Sequence, residues 1–443
     1  MKLSVMTFLY LSTPCIAVAQ QTKIDRVVDQ QLPSLVSIYK GIHAAPELSH
    51  HEEKTSALLA RELRSLGFEV TEHVGKYANP DLKGYGVVAV MRNGAGPTVL
   101  VRADMDALPV EEQTGVAYAS HVRAKDDAGN DVPVMHACGH DIHVTSLIGT
   151  ARTLTALKKD WHGTLVLIGQ PAEERIDGAQ AMLADGLYMR IPMPTYALAL
   201  HDGADLEVGK VSYTPGYALA SSTAVDVTIR GRGAHGSRPE VSKDPIVMAA
   251  EFILGIQTIV SRENSPFDPA VVTVGSIHGG TKSNIIPDEV RLQLTIRTYK
   301  EEVRQRILAS LERIAKGVAL AGGVPEDRAP IVKTVESTTA MYNDPALTAR
   351  EVAALKRDLG AENVVERPPV MGSEDFGQFG LEGHKIPTMM FVVGAIDAER
   401  IAKSKETGVP LPSLHSSLFW PVPEPTIRTG VRAMTAAVLE LMK

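Results

Sequence analysis

The sequence is poor in cysteine, in aromatic residues and in clustered positive charge. Only two of its 443 residues are cysteines, Cys15 and Cys138, so a framework of several disulfides is excluded. Aromatic residues make up 5%, and the formal net charge is -7 with no lysine- or arginine-dense block. Because contacts to a phosphate backbone need clustered positive charge, we expect no nucleic-acid binding. The chain is too long for one ordinary hydrophobic core, which predicts two domains.

The first residues have the pattern of an export signal. Lys2 precedes an apolar stretch from residue 3 to about residue 18, and Ala17-Val18-Ala19 supplies the small residues that a signal peptidase reads. The stretch is short for a membrane span, so we expect no membrane attachment after its removal. A buried N-terminal strand is the alternative interpretation. We therefore expect residues 1–19 to be the signal peptide of a periplasmic or secreted protein whose one remaining thiol is Cys138, which N-terminal sequencing would check.

Strands alternate with helices over two stretches of the chain, which predicts a catalytic α/β domain with a mostly parallel sheet. Between the two stretches the order of elements is β-α-β-β-α-β, the ferredoxin-like order, so this part is an inserted domain. The predicted boundaries are 20–215 and 337–443 for the catalytic domain and 216–336 for the insertion. Predicted helices include 54–66, 141–157, 179–187, 245–260, 301–320 and 345–359, and predicted strands include 98–101, 163–169, 223–230, 271–277, 290–298 and 388–393.

The nine residues from Met135 to His143 contain three histidines, one thiol and one carboxylate. Cys138 and His140 are separated by a single glycine, so both side chains can face one site where a loop enters a helix. Thiolate and imidazole are ligands suited to zinc and its transition-metal neighbours. A polar loop with a few stacked histidines is the alternative, but the density of ligand side chains favours a metal site.

Acidic residues follow two predicted strands. Glu173 and Glu174 end the segment 170–174, which follows the apolar run 165–168, and Asp104 and Asp106 follow another strand. Ligands and catalytic groups gather at the carboxyl ends of strands in such sheets. One of two adjacent glutamates can bind a metal ion while the other stays free to transfer protons. Taken alone, the glutamates could form a solvated acidic loop and the aspartates a surface ion pair.

Seven segments together resemble the metallo-amidohydrolase family of hippurate hydrolases, auxin-conjugate hydrolases and bacterial aminoacylases. They are HAAPELSHHEEKTS, RADMDALPVEEQTG, MHACGHDIHV, GQPAEE, GRGAHGSRP, GGTKSNIIPDEVRLQLTIRT and MGSEDFGQF. They occur in family order over nearly the whole chain after the signal, the insertion included. The resemblance implies hydrolysis of the amide bond of N-acyl-L-amino acids, with carboxypeptidase action on short peptides as a close variant.

The resemblance also implies two divalent metal ions per chain, zinc first, with manganese, cobalt or nickel as alternatives. Cys138 corresponds to the ligand that bridges both ions. Glu173 corresponds to the general base, and Asp106 to the carboxylate that supports a metal-bound histidine. The five implied ligands are Cys138, His140, Glu174, His201 and His415.

The inserted domain resembles the family's dimerisation lid, which implies a homodimer. His235 corresponds to a histidine that reaches the active site of the partner subunit. Asn284 and Arg297 correspond to groups that hold the carboxylate of the substrate, and a guanidinium offers the planar pair of donors that a carboxylate accepts. The alternative is that Asn284 is an ordinary turn residue and Arg297 a surface residue near the end of a strand.

Two segments depart from the family's pattern, His201-Asp202-Gly203 and Glu174-Arg175-Ile176-Asp177. The ligand positions are intact, but the altered neighbours put the substrate preference in doubt. Two other functions stay open, a deacetylase or esterase on other exported metabolites and an inactive dimeric binding protein. Retention of Glu173 with all five ligand positions argues against the inactive protein. Amide and ester cleavage share one tetrahedral intermediate, so the sequence does not separate them.

Overall fold

The computed structural model describes residues 17–381 and 383–443. Residues 1–16, which form most of the predicted signal peptide, lie outside the described residues, so export stays a prediction. The helices are α1 (Ala17–His43), α2 (Glu53–Ser65), α3 (His140–Ala156), α4 (Gly178–Ala184), α5 (Leu187–Arg190), α6 (Pro245–Thr258), α7 (Glu301–Ala321), α8 (Pro345–Leu359), α9 (Ala398–Thr407) and α10 (Pro423–Met442).

The strands form one large sheet, one smaller sheet and three short two-stranded ribbons. They are β1 (Glu69–Val74), β2 (Gly86–Asn93), β3 (Thr98–Asp104), β4 (Arg123–Lys125), β5 (Asp131–Pro133), β6 (Gly163–Gln170), β7 (Tyr196–Glu207), β8 (Val211–Tyr213), β9 (Gly216–Leu219), β10 (Ser221–Arg230), β11 (Ala234–His235), β12 (Ala270–Gly279), β13 (Ile285–Ile286), β14 (Glu289–Thr298), β15 (Ile331–Thr338), β16 (Met341–Asn343), β17 (Val364–Glu366) and β18 (Thr388–Ile396).

The large sheet has the order β1-β2-β6-β3-β7-β18-β8-β17. Its central neighbours β6, β3, β7 and β18 are parallel, while β2 joins β6 and β8 joins β18 in antiparallel fashion. All seven residues of β3 are buried, as expected of a strand covered on both faces. The predicted fold class, an α/β domain with a mostly parallel sheet, is confirmed.

Successive residues of the central strands pack into two different cores. In β6, Leu165 and Leu167 join the core that contains residues of α1, α2, α3, α8 and α10, whereas Val166 and Ile168 join the core that contains residues of α4 and α5. This alternation follows from the period of two along a strand. It holds the sheet rigid between two helical layers, so the loops at its carboxyl edge start from fixed points.

The inserted unit is a four-stranded antiparallel sheet of order β12-β14-β10-β15 with α6 and α7. Its chain order, β10-α6-β12-β14-α7-β15, is the β-α-β-β-α-β order expected from the sequence. Phe252 of α6 and Leu311 of α7 pack in one core with Leu292 of the sheet. We call this unit, residues 221–338, the lid. The predicted domain boundaries at 215 and 336 stay a prediction.

One predicted helix, 179–187, was wrong as a single element. The chain forms α4 and α5 instead, separated at Asp185 and Gly186. Gly186 has a φ of 80°, a left-handed conformation that interrupts a helix and that glycine adopts without strain. Helix α8 has the predicted bounds.

Candidate metal centre

The carboxyl edge of the parallel strands brings the predicted ligands together. Asp106 follows β3, Glu173 and Glu174 follow β6, and His201 lies within β7. Cys138 comes just before the start of α3, and His140 is its first residue. These elements are far apart in sequence, but the parallel order β6-β3-β7 places their ends side by side.

Gly139 makes the turn between the two ligands of the α3 segment possible. Its φ is 76°, and a Cβ atom built on it would lie 2.3 Å from Oδ2 of Asp202. Both the backbone conformation and the lack of space require glycine at this position. The turn therefore sets Cys138 and His140 on the same side of the helix entrance.

Five side chains converge on one place. Cys138 Sγ lies 3.6 Å from His201 Nε2 and 3.3 Å from His415 Nε2. His415 Nε2 is also 3.3 Å from Glu174 Oε1. His140 Nε2 lies 3.9 Å from that same Glu174 oxygen. All five implied ligands are thus neighbours in the folded chain.

The donor set fits divalent metal ions. Among the described residues, His140 Nε2 and Glu174 Oε1 are buried atoms without a hydrogen-bond partner, which a coordinated ion would satisfy. Two sets of three ligand atoms, within 4.8 Å of one another in each set, share the Cys138 sulfur: Cys138 with His140 and His201, and Cys138 with Glu174 and His415. A thiolate common to two such sets has the position expected of a bridge between two ions.

Two of the histidines are oriented by their other ring nitrogen. His140 Nδ1 donates to the carbonyl oxygen of Asp106 at 2.8 Å, with the Asp106 carboxylate at 3.2 Å. His201 Nδ1 donates to the carbonyl oxygen of Asp202 at 2.7 Å. Each Nε2 is then left as the ligand atom, an arrangement typical of metal-bound histidine. Asp106 also accepts from the Ser49 hydroxyl and the Glu174 amide, so it has the supporting position implied by the resemblance.

The adjacent glutamates have different surroundings. Glu174 contacts His415, whereas Glu173 Oε2 lies 3.9 Å from His140 Nε2. Burial, followed by the carboxylates of Glu374 and Glu174, raises the pKa of Glu173 well above its usual range. A carboxylate with raised proton affinity beside a candidate metal site is suited to accept and deliver protons. Both glutamates lie 3.9 Å from His140 Nε2, and Glu174 is the one close to His415.

Arg102 organises a buried network that was not assigned from the sequence. Its guanidinium is fully buried and donates to Asp104 Oδ2 at 2.7 Å and to Glu374 Oε1 at 2.7 Å. It also donates to Gln170 at the end of β6 and to Asp375. The network fastens the segment 371–375 to β3 and β6 beside the centre. An arginine within the apolar strand at 98–103 was the sequence signal that could have revealed it.

His143 is a second residue whose place the sequence did not predict. The backbone N–H of Asp202 donates to His143 Nε2 at 3.0 Å, and the Nδ1 atom of His143 donates to Asp104. Asp202 is one of the residues by which the chain departs from the family pattern, and it is buried. Through His143 it is connected to Asp104 and to the Arg102 network.

The three predicted lid residues have different locations. Arg297 of β14 is half-buried, and its Nη1 donates to the Ser373 hydroxyl of the catalytic domain at 2.6 Å. His235 and Asn284 are exposed on the ribbon formed by β11 and β13, where the Gly236 amide donates to the Asn284 carbonyl. Within the described part of the chain, the hydrogen bonds of His235 and Asn284 stay inside the lid. The structure therefore connects Arg297 to the catalytic domain by a hydrogen bond, and among the described residues no hydrogen bond or ion pair connects His235 or Asn284 to the five ligands.

Comparison with known proteins decides the family. The model of peptidase family M20/M25/M40 matches residues 100–415, which include all five ligand positions. The chain belongs to this family. Thermostable carboxypeptidase 2 of Saccharolobus solfataricus is 35% identical over 402 residues, covering 90% of this chain and 93% of that enzyme. Hippurate hydrolase of Campylobacter jejuni is 38% identical over 341 residues, covering 76% of this chain and 82% of that enzyme.

A solved structure supports the same assignment. A dinuclear metal-binding peptidase of the M20 family from Bacillus subtilis has a TM-score of 0.71 and 27% identity, with 94% of this chain and all of that chain covered. This member of the M20/M25/M40 family is a metal-dependent amidohydrolase, as predicted from the sequence. The predicted family and enzyme class are confirmed, and the individual residue roles stay predictions.

Proposed function

We propose that the chain hydrolyses the amide bond of N-acyl-L-amino acids, and of short peptides as a carboxypeptidase, with two divalent metal ions. The main support for this proposal is that the half-buried guanidinium of Arg297 has no acidic partner among the described residues. Its hydrogen bond to Ser373 puts it next to Glu374, which belongs to the network beside the centre. The two enzymes named above, a carboxypeptidase and a hydrolase of the N-acyl amino acid hippurate, fit a substrate with a free carboxylate.

The five ligands would hold the two ions, with zinc favoured by the thiolate and manganese, cobalt or nickel as alternatives. When bound, such ions act as Lewis acids and lower the pKa of a bound water to about 7. The dinuclear metal binding of the Bacillus subtilis peptidase supports the count of two. Asp106 would keep His140 oriented, as its two hydrogen-bonding contacts to the ring indicate.

Glu173 would perform the proton transfers. It would take a proton from the attacking water and deliver it to the nitrogen of the leaving amine, which must be protonated to depart. General acid-base catalysis of this kind contributes about 10²- to 10⁴-fold. The buried position of Glu173 beside His140 supports this role.

Arg297 and Asn284 would hold the substrate's carboxylate. Burial lowers the pKa of Arg297, because its charge is partly removed from water without a counter-ion. A substrate carboxylate would supply that missing charge. A guanidinium has no corresponding role toward a neutral amide, so this residue separates the proposed function from a general deacetylase or esterase.

Arg297→Ala is expected to lower kcat/KM for an N-acyl amino acid by about ten- to a hundredfold, because charge-assisted hydrogen bonds contribute roughly 1.5–3 kcal/mol. The same substitution should barely change kcat/KM for the amide-capped compound, which lacks the carboxylate. Steady-state kinetics on the matched pair of substrates measures both. Arg291→Ala is the control, because Arg291 lies on the same strand but is exposed and paired with Glu289. Equal rates of the wild-type enzyme on acid and capped amide would instead favour the deacetylase or esterase.

We also propose a homodimer formed through the lid, with His235 serving the partner subunit's centre. Two features support it. Ile246, Val247 and Leu254 on α6 are exposed apolar side chains, and β12 is an edge strand of the lid sheet. The Ser237 amide donates to His235 Nδ1, so the neutral ring carries its proton on Nε2. An exposed N–H donor of this kind could stabilise a developing oxyanion, a contact typically worth about 3 kcal/mol.

Mixing His235→Ala chains with Glu173→Gln chains should restore activity to about a quarter of the wild-type level after random exchange of subunits. Half of the dimers are then mixed, and each has one site that combines Glu173 with the partner's His235. Activity is measured after exchange has been verified with differently tagged chains. Replacing the Glu173→Gln chain by the double variant Glu173→Gln/His235→Ala is the control and should restore nothing. Absence of rescue despite demonstrated exchange would place His235 in its own chain's site or outside catalysis.

A further inference from the structure

A large cavity opens beside the candidate metal centre. It has a volume of about 620 Å³, and His201 and Leu414, the neighbour of His415, form part of its wall. The volume is within the range of about 300–1,000 Å³ that is usual for small-molecule sites. Because an implied metal ligand lines it, an occupant of this space would lie next to the reacting bond. We call it the His201 cavity.

Most of the side chains that give the His201 cavity its surface are apolar. They come from four segments that the fold brings together: β9, the stretch before Ser373, β18 and the loop before His415. They include Ala218, Leu219, Val370, Met390, Val392 and Leu411.

Two of the polar side chains in the wall, Asn343 and Thr214, already have hydrogen-bond partners within the protein. Asn343 is buried, donates to the carbonyl oxygens of Thr214 and Met390, and accepts from the Met390 amide. The Thr214 hydroxyl donates to the Arg367 carbonyl oxygen. Asn343 and Thr214 are therefore not free to bind an occupant, and burial of apolar surface would be the main source of its affinity.

The charges around the cavity argue against a carboxylate inside it. Its one lysine or arginine among the described lining residues is Arg367, whose Nη1 donates to Asp205 at 2.7 Å. Asp202 is a further acidic residue in the wall. No described side chain in the wall thus offers an unpaired positive charge to a free carboxylate, whereas Arg297 offers one at the lid. The uncharged end of the substrate is the part that suits this cavity.

We propose that the His201 cavity binds the acyl group of the substrate and selects apolar acyl groups of aromatic size over acetyl. This assignment rests on the proposed function, because it presupposes an N-acyl amino acid whose carboxylate is held elsewhere. The reason for the preference is size, since an acetyl methyl group would leave most of the 620 Å³ unused. An aromatic acyl group would instead contact the apolar wall.

Filling the cavity tests the assignment. Leu411→Trp and Val370→Trp enlarge side chains on two separate supports, a loop and the stretch before Ser373, neither of them in a helix or strand. Val409→Trp is the matched control, because Val409 lies in the same loop as Leu411, is exposed and does not line the cavity. The measured quantity is the ratio of kcat/KM for the N-benzoyl and N-acetyl derivatives of one amino acid.

The wild-type ratio is expected to exceed ten, since a methylene group in an apolar pocket already changes kcat/KM by about tenfold or more. Both cavity variants should lower this ratio at least tenfold, and Val409→Trp should leave it unchanged. A ratio that does not move in either cavity variant, with an active wild-type enzyme, overturns the acyl assignment alone. If the cavity variants instead change the ratio of kcat/KM for N-acetyl-phenylalanine to that for N-acetyl-glycine, the cavity binds the amino-acid side chain, and the acyl assignment is also overturned. A wild-type enzyme with two bound metal ions that cleaves no N-acyl amino acid overturns the proposed function and this assignment together.

Discussion

Glu173→Gln is expected to lower kcat by at least about 10²-fold while leaving the metal content unchanged, because general acid-base catalysis contributes about that much. Glutamine keeps the shape of the side chain but cannot accept the proton of the attacking water. Glu173 is buried and lies 3.9 Å from His140 Nε2, as Glu174 does, but the contact to His415 at 3.3 Å belongs to Glu174. The loss should therefore appear in the rate of the chemical step and not in metal binding.

The neighbouring substitution provides the matched control. Glu174→Gln should lose metal as well as activity, because it replaces an anionic ligand oxygen that lies 3.3 Å from His415 Nε2. Elemental analysis and kcat, measured on both variants with circular dichroism as a check of folding, separate the two roles. If Glu174→Gln kept its metal and Glu173→Gln lost it, the assignment of the two glutamates would be reversed.

Removal of the metal ions should reduce activity to the background rate. Carefully purified protein should contain up to two divalent ions per chain, and dialysis against a chelator should abolish hydrolysis. Cys138→Ala should lower the content below one ion per chain, because the Cys138 sulfur belongs to both sets of ligand atoms. His415→Ala should have a smaller effect on the content, since His415 belongs to one of those two sets.

Readdition experiments identify the ion. Zinc, manganese, cobalt and nickel are each added to the chelated enzyme, and recovery of activity is compared at equal free-ion concentration. Because thiolate and imidazole ligands suit zinc, we expect zinc to bind most tightly of the four ions. The comparison of recovered activity then shows which ion supports the fastest hydrolysis. A fully active preparation without bound metal would contradict the whole assignment of the centre.

The elements that the sequence predicted well are those with a strong local signal. Helix α8 begins with Pro345 after Asp344, whose side chain accepts from the Leu347 amide, and its bounds were predicted correctly. The ferredoxin-like order of the lid was visible because β10 and β14 alternate apolar and polar residues. By contrast, α10 was not predicted, and it is buried over most of its length against α1 and α3.

The candidate site likewise contains residues that the sequence reveals and residues that it does not. The ligands Cys138 and His140 were found because they lie two residues apart in one motif. The contact between Arg102 and Glu374 joins residues that are 272 positions apart, and no local pattern encodes it. The role of Asp202 could not be predicted either, because its burial depends on Gly139 leaving space for its carboxylate. Long-range packing therefore decides what surrounds the ligands, even where the ligands themselves are evident.

The chain enters and leaves the lid at adjacent points, since Ser222 at its start pairs with Thr338 at its end. The closeness of these two positions affects the order in which the domains fold. Strands β7 and β18 pair in parallel although the whole lid lies between them in sequence. Once the lid has folded on its own contacts, the loop that must close to pair them is much shorter. Each halving of a loop saves only about 0.6 kcal/mol, so the gain in stability is small. The lid can nevertheless form early and independently, and the last strands of the catalytic sheet then have a shorter search for their partners.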